Sequence, residues 1–167
     1  MTVTVLALLV YAAMGVEARL SAVHERQLRA RGAVEPEDDV IRPMQIAYPA
    51  AFAALLLEGF WRGVRPDAAV AIGTTLFAAA KLLKYWAIAA LGERWTFRVL
   101  VPPGSSTTAR GPYRVLRHPN YVAVAGELAG IAIAVHAVVT GVPAVAGFAW
   151  LMRRRVAVEE RALRQAQ

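Results

Sequence analysis

The feature that most constrains the fold is an apolar stretch at residues 121–151, in which Glu127 is the only Asp, Glu, Lys or Arg. At about 1.5 Å per residue, its 31 residues are too long for one helix across a hydrocarbon core of roughly 30 Å and too short for two complete spans. The sequence TGVP at residues 140–143 interrupts the stretch, and proline is favoured in the first turn of a helix. The stretch therefore predicts two helices joined by a turn.

Composition extends this interpretation to the whole chain of 167 residues. Apolar residues make up 57% without glycine, whereas soluble domains have about 45–50% with glycine included. They form runs separated by short basic segments, as in membrane-spanning helices. The net charge is +7, and the basic residues flank these runs instead of forming one face. This pattern indicates loops held at a membrane surface and not a nucleic-acid-binding face. The absence of cysteine excludes disulfides, thiolate catalysis and cysteine-bound metals.

The apolar runs predict an all-α integral membrane protein with a single domain. We expect five transmembrane helices, at about residues 3–22, 44–61, 68–91, 120–138 and 142–158. Glu17 and Arg19 are expected at the interface near the end of the first helix, and Asp67 is a good N-cap for the third. The first run has no basic segment before it and no small-x-small cleavage site after it, so we interpret it as a span and not as a signal peptide.

Two polar segments and the charge bias complete the predicted topology. From Gly92 to the fourth helix we expect a cytoplasmic surface loop, in which TFRVLV and TARGPYRV flank PPGSST and predict a short β-like excursion or a β-hairpin on the membrane surface. The last helix should continue past Arg153 as a C-terminal helical extension. Arginines are abundant on this side of the membrane, whereas the opposite side has Arg62 and Arg65. The bias predicts an outside N-terminus and a cytoplasmic C-terminus, in a bacterial inner membrane.

This topology brings two chemically rich blocks to the same membrane face. The first is GPYRVLRHPNY at residues 111–121, and the second contains the adjacent carboxylates Glu159 and Glu160. The two blocks lie at the two ends of one helical hairpin and can therefore form one site. The alternative is that Glu159 and Glu160, with Arg155 and Arg164 one turn away on either side, are only a solvated and salt-bridged helix end.

Three ionisable residues are predicted inside the spans, where a charge costs about 2.5–3.5 kcal/mol on insertion scales. Lys81 and Lys84 share one stripe of the third helix, and a lysine can also extend to the interface without a functional role. Glu127 has a shorter side chain and should point into the helix bundle as a functional group or as the partner of a basic residue. It shares a stripe with three small residues, Ala123, Gly130 and Ala134.

The histidines do not indicate a metal centre. His24, His118 and His136 lack the spacing of metal ligands, and His136 falls near the opposite membrane face. The sequence also lacks a Ser-His-Asp arrangement, a phosphate-binding glycine loop and an HExxH motif. We therefore expect no metal.

GPYRVLRHPNY, a helical hairpin and VEERAL together resemble the isoprenylcysteine carboxyl methyltransferase family and the related phospholipid methyltransferases. The hallmark of these families is RHPxY, then a hairpin, then EExxL. The matching positions are Arg117, His118, Pro119, Tyr121, Glu159, Glu160 and Leu163. The upstream segment LLKYWAIAALGERWTFRV resembles the third-helix region of bacterial members, so the resemblance covers about residues 80–163.

The resemblance implies an integral membrane enzyme that transfers a methyl group from S-adenosylmethionine to a lipophilic acceptor entering from the bilayer. Acceptors of this kind include an isoprenyl-thiol carboxyl and a phenolic or quinol hydroxyl. The cofactor-binding residues that it implies are Tyr113, Arg117, His118, Pro119, Tyr121, Glu159 and Glu160. Carboxylates and aromatic faces suit a sulfonium and an ammonium group. Lys84, Glu127 and Arg155 are expected near the acceptor, where the Glu127 carboxylate can deprotonate a hydroxyl.

Two differences from the family pattern and two alternatives accompany this interpretation. Ala123 stands where family members often have glycine, and an aromatic-rich tail often follows EExxL in the family but not here. One alternative is an NADPH-dependent reductase of the sterol-reductase type, which the short chain disfavours. The other is a non-catalytic membrane scaffold, in which the ionisable groups only pair with one another.

Overall fold

The computed structural model describes residues 1–36, 40–102 and 108–165. It contains five α-helices: α1 (Thr2–Ala30), α2 (Ile41–Trp61), α3 (Ala68–Leu91), α4 (Pro119–Ala134) and α5 (Gly141–Gln165). Two short 3-10 turns lie between α3 and α4, at Gly92–Arg94 and Gly111–Arg114. The all-α prediction is therefore confirmed for the described residues. α4 ends earlier than the predicted span, and α5 begins at the expected break and includes the predicted extension.

The predicted β-hairpin between the third and fourth helices is wrong for the flanks that the structure describes. Residues 103–107 lie outside the described part of the chain. Val101 pairs with Val34 in an isolated antiparallel bridge instead of pairing across a hairpin, and the downstream flank includes the 3-10 turn Gly111–Arg114. The polar segment after α1 therefore supplies the hydrogen bonds that the hairpin was expected to supply.

Two of the described helical segments are long and apolar enough to cross a membrane, namely Thr2–Ala30 and Ala68–Arg94. α4 is also apolar, but its 16 residues correspond to a length of only about 24 Å. Large apolar side chains such as Leu8, Ile72 and Leu82 project from the helices and are exposed. An apolar exterior of this extent is the surface of a membrane protein.

α3 and α4 pack with their backbones in direct contact. A Cβ atom added to Gly73 would lie 2.3 Å from the backbone nitrogen of Ala134 and 2.4 Å from the carbonyl oxygen of Gly130. A Cβ added to Gly130 would lie 2.7 Å from the backbone nitrogen of Phe77. The small-residue stripe predicted on the fourth helix is therefore confirmed as a helix-packing face, and it fixes the rotation of α3 against α4.

The end of α2 and the turn between α4 and α5 lie at one end of the bundle. The Glu58 carboxylate accepts hydrogen bonds from the backbone N–H groups of Val139 and Thr140, at 3.1 and 2.8 Å, and from the Thr140 hydroxyl at 2.7 Å. Arg62 donates to the same carboxylate at 2.8 Å. Glu58 thus supplies acceptors for backbone donors that the turn leaves without helical partners.

The beginning of α3 lies at the same end. Asp67 accepts a hydrogen bond from the Val70 N–H at 2.9 Å, which confirms the predicted N-cap. Its other carboxylate oxygen lies 2.9 Å from Nε2 of His136, which follows α4 with a φ of 54°. This end of the bundle is opposite the motif blocks.

At the other end, α1 holds the segment that follows α3. The Ser21 hydroxyl accepts a hydrogen bond from the Phe97 N–H at 2.8 Å, and Nδ1 of His24 lies 2.8 Å from the Trp95 carbonyl oxygen. These contacts hold residues 95–97 against the C-terminal half of α1.

An ion-pair network continues this attachment beyond α1. Arg98 donates to Glu35 at 2.6 Å and lies 3.4 Å from Glu25, and Arg29 also donates to Glu35. Partial burial by itself would raise the pKa of Glu35, but hydrogen bonds from Arg98 and Arg29 outweigh it and lower the pKa below its ordinary value. The Glu35 carboxylate is thus held ionised between two basic groups.

Candidate active site

A cavity of about 1100 Å³ opens between α1, α2 and the neighbouring ends of α4 and α5. Residues 94–102 also contribute to its wall. Apolar side chains from α1 and α2, such as Met14, Ile41 and Met44, line it together with polar groups from α4 and α5. Such a combination suits an amphipathic ligand with one charged and one apolar part.

The two motif blocks meet at this cavity. The Tyr121 hydroxyl donates a hydrogen bond to Oε2 of Glu159 at 2.8 Å. Nε2 of His118 lies 3.4 Å from Oε1 of Glu160, and the His118 and Tyr121 rings stack with centroids 5.5 Å apart. All four residues line the cavity, and we call them the motif cluster. The expected proximity of the two blocks is confirmed, and their role in ligand binding stays a prediction.

The local sequence explains the position of the first block. Gly111 has a φ of 54°, and an added Cβ would lie 2.9 Å from the Ala90 Cβ and 3.1 Å from Nε1 of Trp86, so a side chain would not fit against α3. Pro119 is the first residue of α4, where its missing N–H is not needed. Pro119 is buried and is not part of the cavity wall. Its expected role in cofactor binding is therefore indirect, through the helix start that places His118 and Tyr121.

Tyr113 and Arg117 line the same cavity. Burial raises the pKa of the Tyr113 phenol, and the nearby negative charge of Glu159 raises it further. Tyr113 is therefore neutral at physiological pH and offers an aromatic face and a hydroxyl donor. Six of the seven predicted cofactor residues thus lie along one cavity.

Lys84 and Glu127, both expected near an acceptor, belong to a buried cluster with Glu17 and Lys81. We call these four residues the buried quartet. The two Glu17 carboxylate oxygens lie 2.6 Å from the ammonium groups of Lys81 and Lys84. Glu127 lies 3.1 Å from the Lys81 ammonium and 3.5 Å from that of Lys84. Two carboxylates and two ammonium groups give the quartet a net charge of zero.

The quartet corrects one expectation from the sequence. Glu17 was placed at the membrane interface, but its side chain is only 1% exposed and lies against α3. The sequence signal was its spacing, because it continues a helical stripe of buried residues. The others in this stripe are Val3, Leu6, Val10, Ser21 and Leu28.

The predicted acceptor residues differ in their access to the cavity. Lys84 and Arg155 line it, whereas Glu127 does not and is 0% exposed. The Arg155 guanidinium donates to the Phe97 carbonyl oxygen and joins α5 to the segment after α3. Glu127 accepts a hydrogen bond from the Tyr48 hydroxyl of α2, and Tyr48 itself lines the cavity. Sequence analysis did not identify Tyr48, because no charge or motif marks it in α2.

Among the described residues, no group of three or more His, Asp or Glu side chains is arranged to hold a metal ion. The polar groups that line the cavity include carboxylates, tyrosines, basic residues and the histidine of the motif cluster. They suit an organic ligand with cationic and anionic groups.

Sequence comparisons show which proteins this chain is similar to. A protein of Bacillus subtilis, the uncharacterized protein YpbQ, is 26% identical over 149 residues, covering 89% of this chain and 89% of that protein. An uncharacterized protein of Haemophilus influenzae is 24% identical over 145 residues, covering 86% of this chain and 84% of that protein. No solved structure matches the chain.

The family comparison covers the part of the chain that contains both motif blocks. A sequence profile of the isoprenylcysteine carboxyl methyltransferase family matches residues 71–165, which is more than half of the chain. The matched region includes α4, α5, the motif cluster and both lysines of the buried quartet. The chain therefore belongs to the isoprenylcysteine carboxyl methyltransferase family.

Proposed function

We propose that this protein transfers a methyl group from S-adenosylmethionine to a small lipophilic acceptor at one face of the membrane. The observation that carries the proposal is the motif cluster, in which His118 and Tyr121 from α4 contact Glu159 and Glu160 from α5 at the wall of a large cavity. Membership of a methyltransferase family supports it.

The residues of the motif cluster fit the chemistry of the cofactor. Glu159 and Glu160 are 36% and 41% exposed, so the ammonium group of the methionine part can reach their carboxylates from the cavity. Tyr113 and Tyr121 offer aromatic faces to a cation, and Arg117 can pair with a carboxylate. When bound, S-adenosylmethionine supplies an electrophilic methyl group on a sulfonium. The protein's contribution is to hold the donor and the acceptor in line.

The acceptor is proposed to occupy the part of the cavity lined by α1 and α2. Apolar side chains there suit a hydrocarbon chain, and Lys84 and Arg155 bring positive charge to the same cavity. Acceptors consistent with this lining are an isoprenyl-thiol carboxyl and a phenolic or quinol hydroxyl. Lys84 and Arg155 would stabilise a developing anion, and Glu127 would take part in proton removal.

The membrane arrangement that accompanies this function has five spans. The excess of arginine near the motif cluster supports a cytoplasmic cluster and C-terminus and an outside N-terminus, in a bacterial inner membrane. A charged cofactor then enters from the aqueous side, and an apolar acceptor enters from the bilayer.

The scaffold alternative is favoured by one observation. The four charges of the buried quartet pair with one another, as a purely structural set would. However, the motif cluster has partly exposed carboxylates beside a cavity, and helix packing does not require this arrangement. The reductase alternative has no comparable observation in its favour.

Calorimetric titration of the detergent-purified protein with S-adenosylhomocysteine and with NADPH distinguishes the three functions. We expect binding of S-adenosylhomocysteine, loss of this binding in Glu159→Ala and retention in Arg65→Ala, which changes an arginine at the opposite end of the bundle. Binding of NADPH alone would favour the reductase. Binding of neither ligand would leave the non-catalytic scaffold as the remaining alternative.

A further inference from the structure

Glu127 is the buried carboxylate that family resemblance and charge cost both single out, but it has no direct access to the cavity. Its side chain is 0% exposed and it does not line the cavity wall. Tyr48 connects the cavity to Glu127. Its side chain lines the cavity, and its hydroxyl donates a hydrogen bond to Oε2 of Glu127. A proton can therefore reach Glu127 from the cavity through one hydroxyl group.

The Tyr48 ring is held in a fixed orientation. It packs edge-on against Phe52 with ring centroids 5.1 Å apart, and its centroid lies 5.2 Å from that of Phe148. The Lys84 ammonium lies 5.2 Å from the centroid of the same ring. Aromatic packing and the cation limit the rotation of the side chain, as a preorganised proton-transfer group requires.

Glu127 and Glu17 differ in how their carboxylate oxygens are engaged. Each Glu17 oxygen lies 2.6 Å from a lysine ammonium. Oε2 of Glu127 accepts from Tyr48, while Oε1 is buried without a hydrogen-bond partner among the described residues and lies 3.5 Å from the Lys84 ammonium. The hydrogen bond from the cavity therefore leads to Glu127, whose oxygens are less closely held by ammonium groups than those of Glu17.

We propose that Tyr48 is a catalytic residue that removes the proton from a neutral hydroxyl group of the acceptor and passes its own proton to Glu127. This inference rests on the proposed methyltransferase function. The acceptor oxygen forms the new C–O bond while the methyl–sulfur bond breaks and its electron pair stays on sulfur. The acceptor proton moves to the Tyr48 oxygen as the Tyr48 proton moves to Oε2 of Glu127.

Charge is conserved within the site during this step. The positive charge lost from the sulfonium reappears on the buried quartet, which changes from a net charge of zero to one positive charge when Glu127 is protonated. The proton then returns through Tyr48 to water in the cavity after the products leave. A carboxylate acceptor is already ionised at neutral pH and needs no such path, so the Tyr48–Glu127 pair indicates a hydroxyl acceptor such as a phenol or an enol.

The test uses the detergent-purified protein with labelled S-adenosylmethionine and three acceptors of equal chain length. These are para-dodecylphenol, its ortho-nitro derivative and para-dodecylbenzoate, assayed at about pH 8.5, where the nitrophenol is largely ionised and the phenol is still protonated. The variants are Tyr48→Phe and Glu127→Gln. The matched control is Tyr85→Phe, which removes the hydroxyl of an α3 tyrosine that is 41% exposed and does not line the cavity.

We expect the phenol to be methylated, and Tyr48→Phe and Glu127→Gln to lower kcat for it by about 100-fold or more, the contribution of a general base. The nitrophenol should restore most of the rate in both variants because its proton has already left. Tyr85→Phe should keep the rate with both acceptors. Equal losses with the phenol and the nitrophenol would show a structural role for Tyr48 and overturn the proposal.

Binding measurements test the same contact without turnover. In Tyr48→Phe the affinity for S-adenosylhomocysteine should be unchanged, which also shows that the variant is folded. Its affinity for para-dodecylphenol, with S-adenosylhomocysteine present, should fall by about three- to tenfold, the loss expected for one hydrogen bond. Unchanged phenol affinity, or methylation of the benzoate and not of the phenol, would overturn the role of Tyr48.

The remaining outcomes separate this proposal from the general function. A protein that binds S-adenosylhomocysteine but methylates no phenol would contradict the hydroxyl acceptor and leave the cofactor site standing. A protein that does not bind S-adenosylhomocysteine would overturn the methyltransferase function, and the assignment of Tyr48 with it.

Discussion

The buried quartet and the motif cluster contain similar groups in opposite arrangements. In the quartet the side chains are at most 10% exposed, and three of the four ion-pair distances are 3.1 Å or less. In the motif cluster Glu159 and Glu160 are more than a third exposed, and His118 lies 4.0 and 3.4 Å from their nearest oxygens. The quartet is therefore paired within the protein, whereas the carboxylates of the motif cluster can be reached from the cavity.

This difference predicts that the two regions respond in opposite ways to mutation. Loss of a charge inside the quartet leaves its partners buried and unpaired, so the cost falls on stability. Loss of a charge in the motif cluster exposes its partners to water, so the cost falls on ligand binding. The predictions below test this contrast in order of expected effect.

The largest effect is expected for Lys84→Met. The substitution keeps the length of the side chain but removes the ammonium 2.6 Å from Glu17 and leaves the quartet with a net negative charge. We expect a loss of about 3–5 kcal/mol in the free energy of unfolding, the cost of an uncompensated buried charge. Thermal unfolding in detergent measures it, and the double variant Lys84→Met with Glu17→Gln should recover part of the loss. A stability equal to that of the unmodified protein would contradict the ionised quartet.

A smaller loss is expected for Gly73→Ala, which tests the backbone contact that positions the quartet lysines of α3. The new Cβ would lie 2.3 Å from the Ala134 backbone nitrogen, so α3 and α4 must separate. We expect a loss of about 1–3 kcal/mol in the free energy of unfolding. Gly147→Ala is the matched control, since nothing lies within 4 Å of its added Cβ, and it should leave stability unchanged or slightly higher. Equal behaviour of the two variants would refute close packing at Gly73.

For the motif cluster we expect an effect on binding and not on stability. Glu159→Gln keeps the shape of the side chain and removes its charge, which should weaken S-adenosylhomocysteine binding by about 10- to 100-fold, the range of a hydrogen bond to a charged group. The unfolding temperature should stay within a degree or two of the unmodified protein. A variant that unfolds at a clearly lower temperature and binds S-adenosylhomocysteine with unchanged affinity would contradict the contrast between the two regions.

The smallest effect concerns Glu35, which lies outside both regions and holds the segment after α3. Its pKa is lowered in the folded protein, so its contribution to stability is present above the pKa of the unfolded chain and disappears as the pH falls through the folded value. Glu35→Gln should therefore lower stability by up to about 1 kcal/mol at neutral pH and by nothing in strong acid. Urea unfolding at several pH values measures this difference. A stability difference between the two proteins that increases as the pH falls would contradict the lowered pKa of Glu35.

Much of the local structure was predictable. The five helices, the break at residues 140–143 and the N-cap at Asp67 follow from hydropathy and capping patterns, which are properties of neighbouring residues. The two motif blocks could be placed at the same end because a helical hairpin returns the chain to its starting face. The β-hairpin prediction was wrong for its described flanks because Val101 found a partner in Val34, far away in the sequence.

The contents of the site were less predictable. The cost of a charge in a span identified Lys81, Lys84 and Glu127, but Glu17 was expected at the interface and no pattern marked Tyr48. A glutamate near the end of an apolar run looks the same whether it meets water or a lysine on another helix. A tyrosine in a span has no pattern that reveals which carboxylate its hydroxyl contacts.

The sequence by itself determined the helices, their apolar faces and the family to which the chain belongs. The tertiary structure decided which charges meet, because pairing depends on the rotation and height of one helix relative to another. In this protein the close approach of α3 and α4 at Gly73 and Gly130 sets that rotation. It brings Lys81 and Lys84 to Glu127, and α1 and α2 then supply Glu17 and Tyr48.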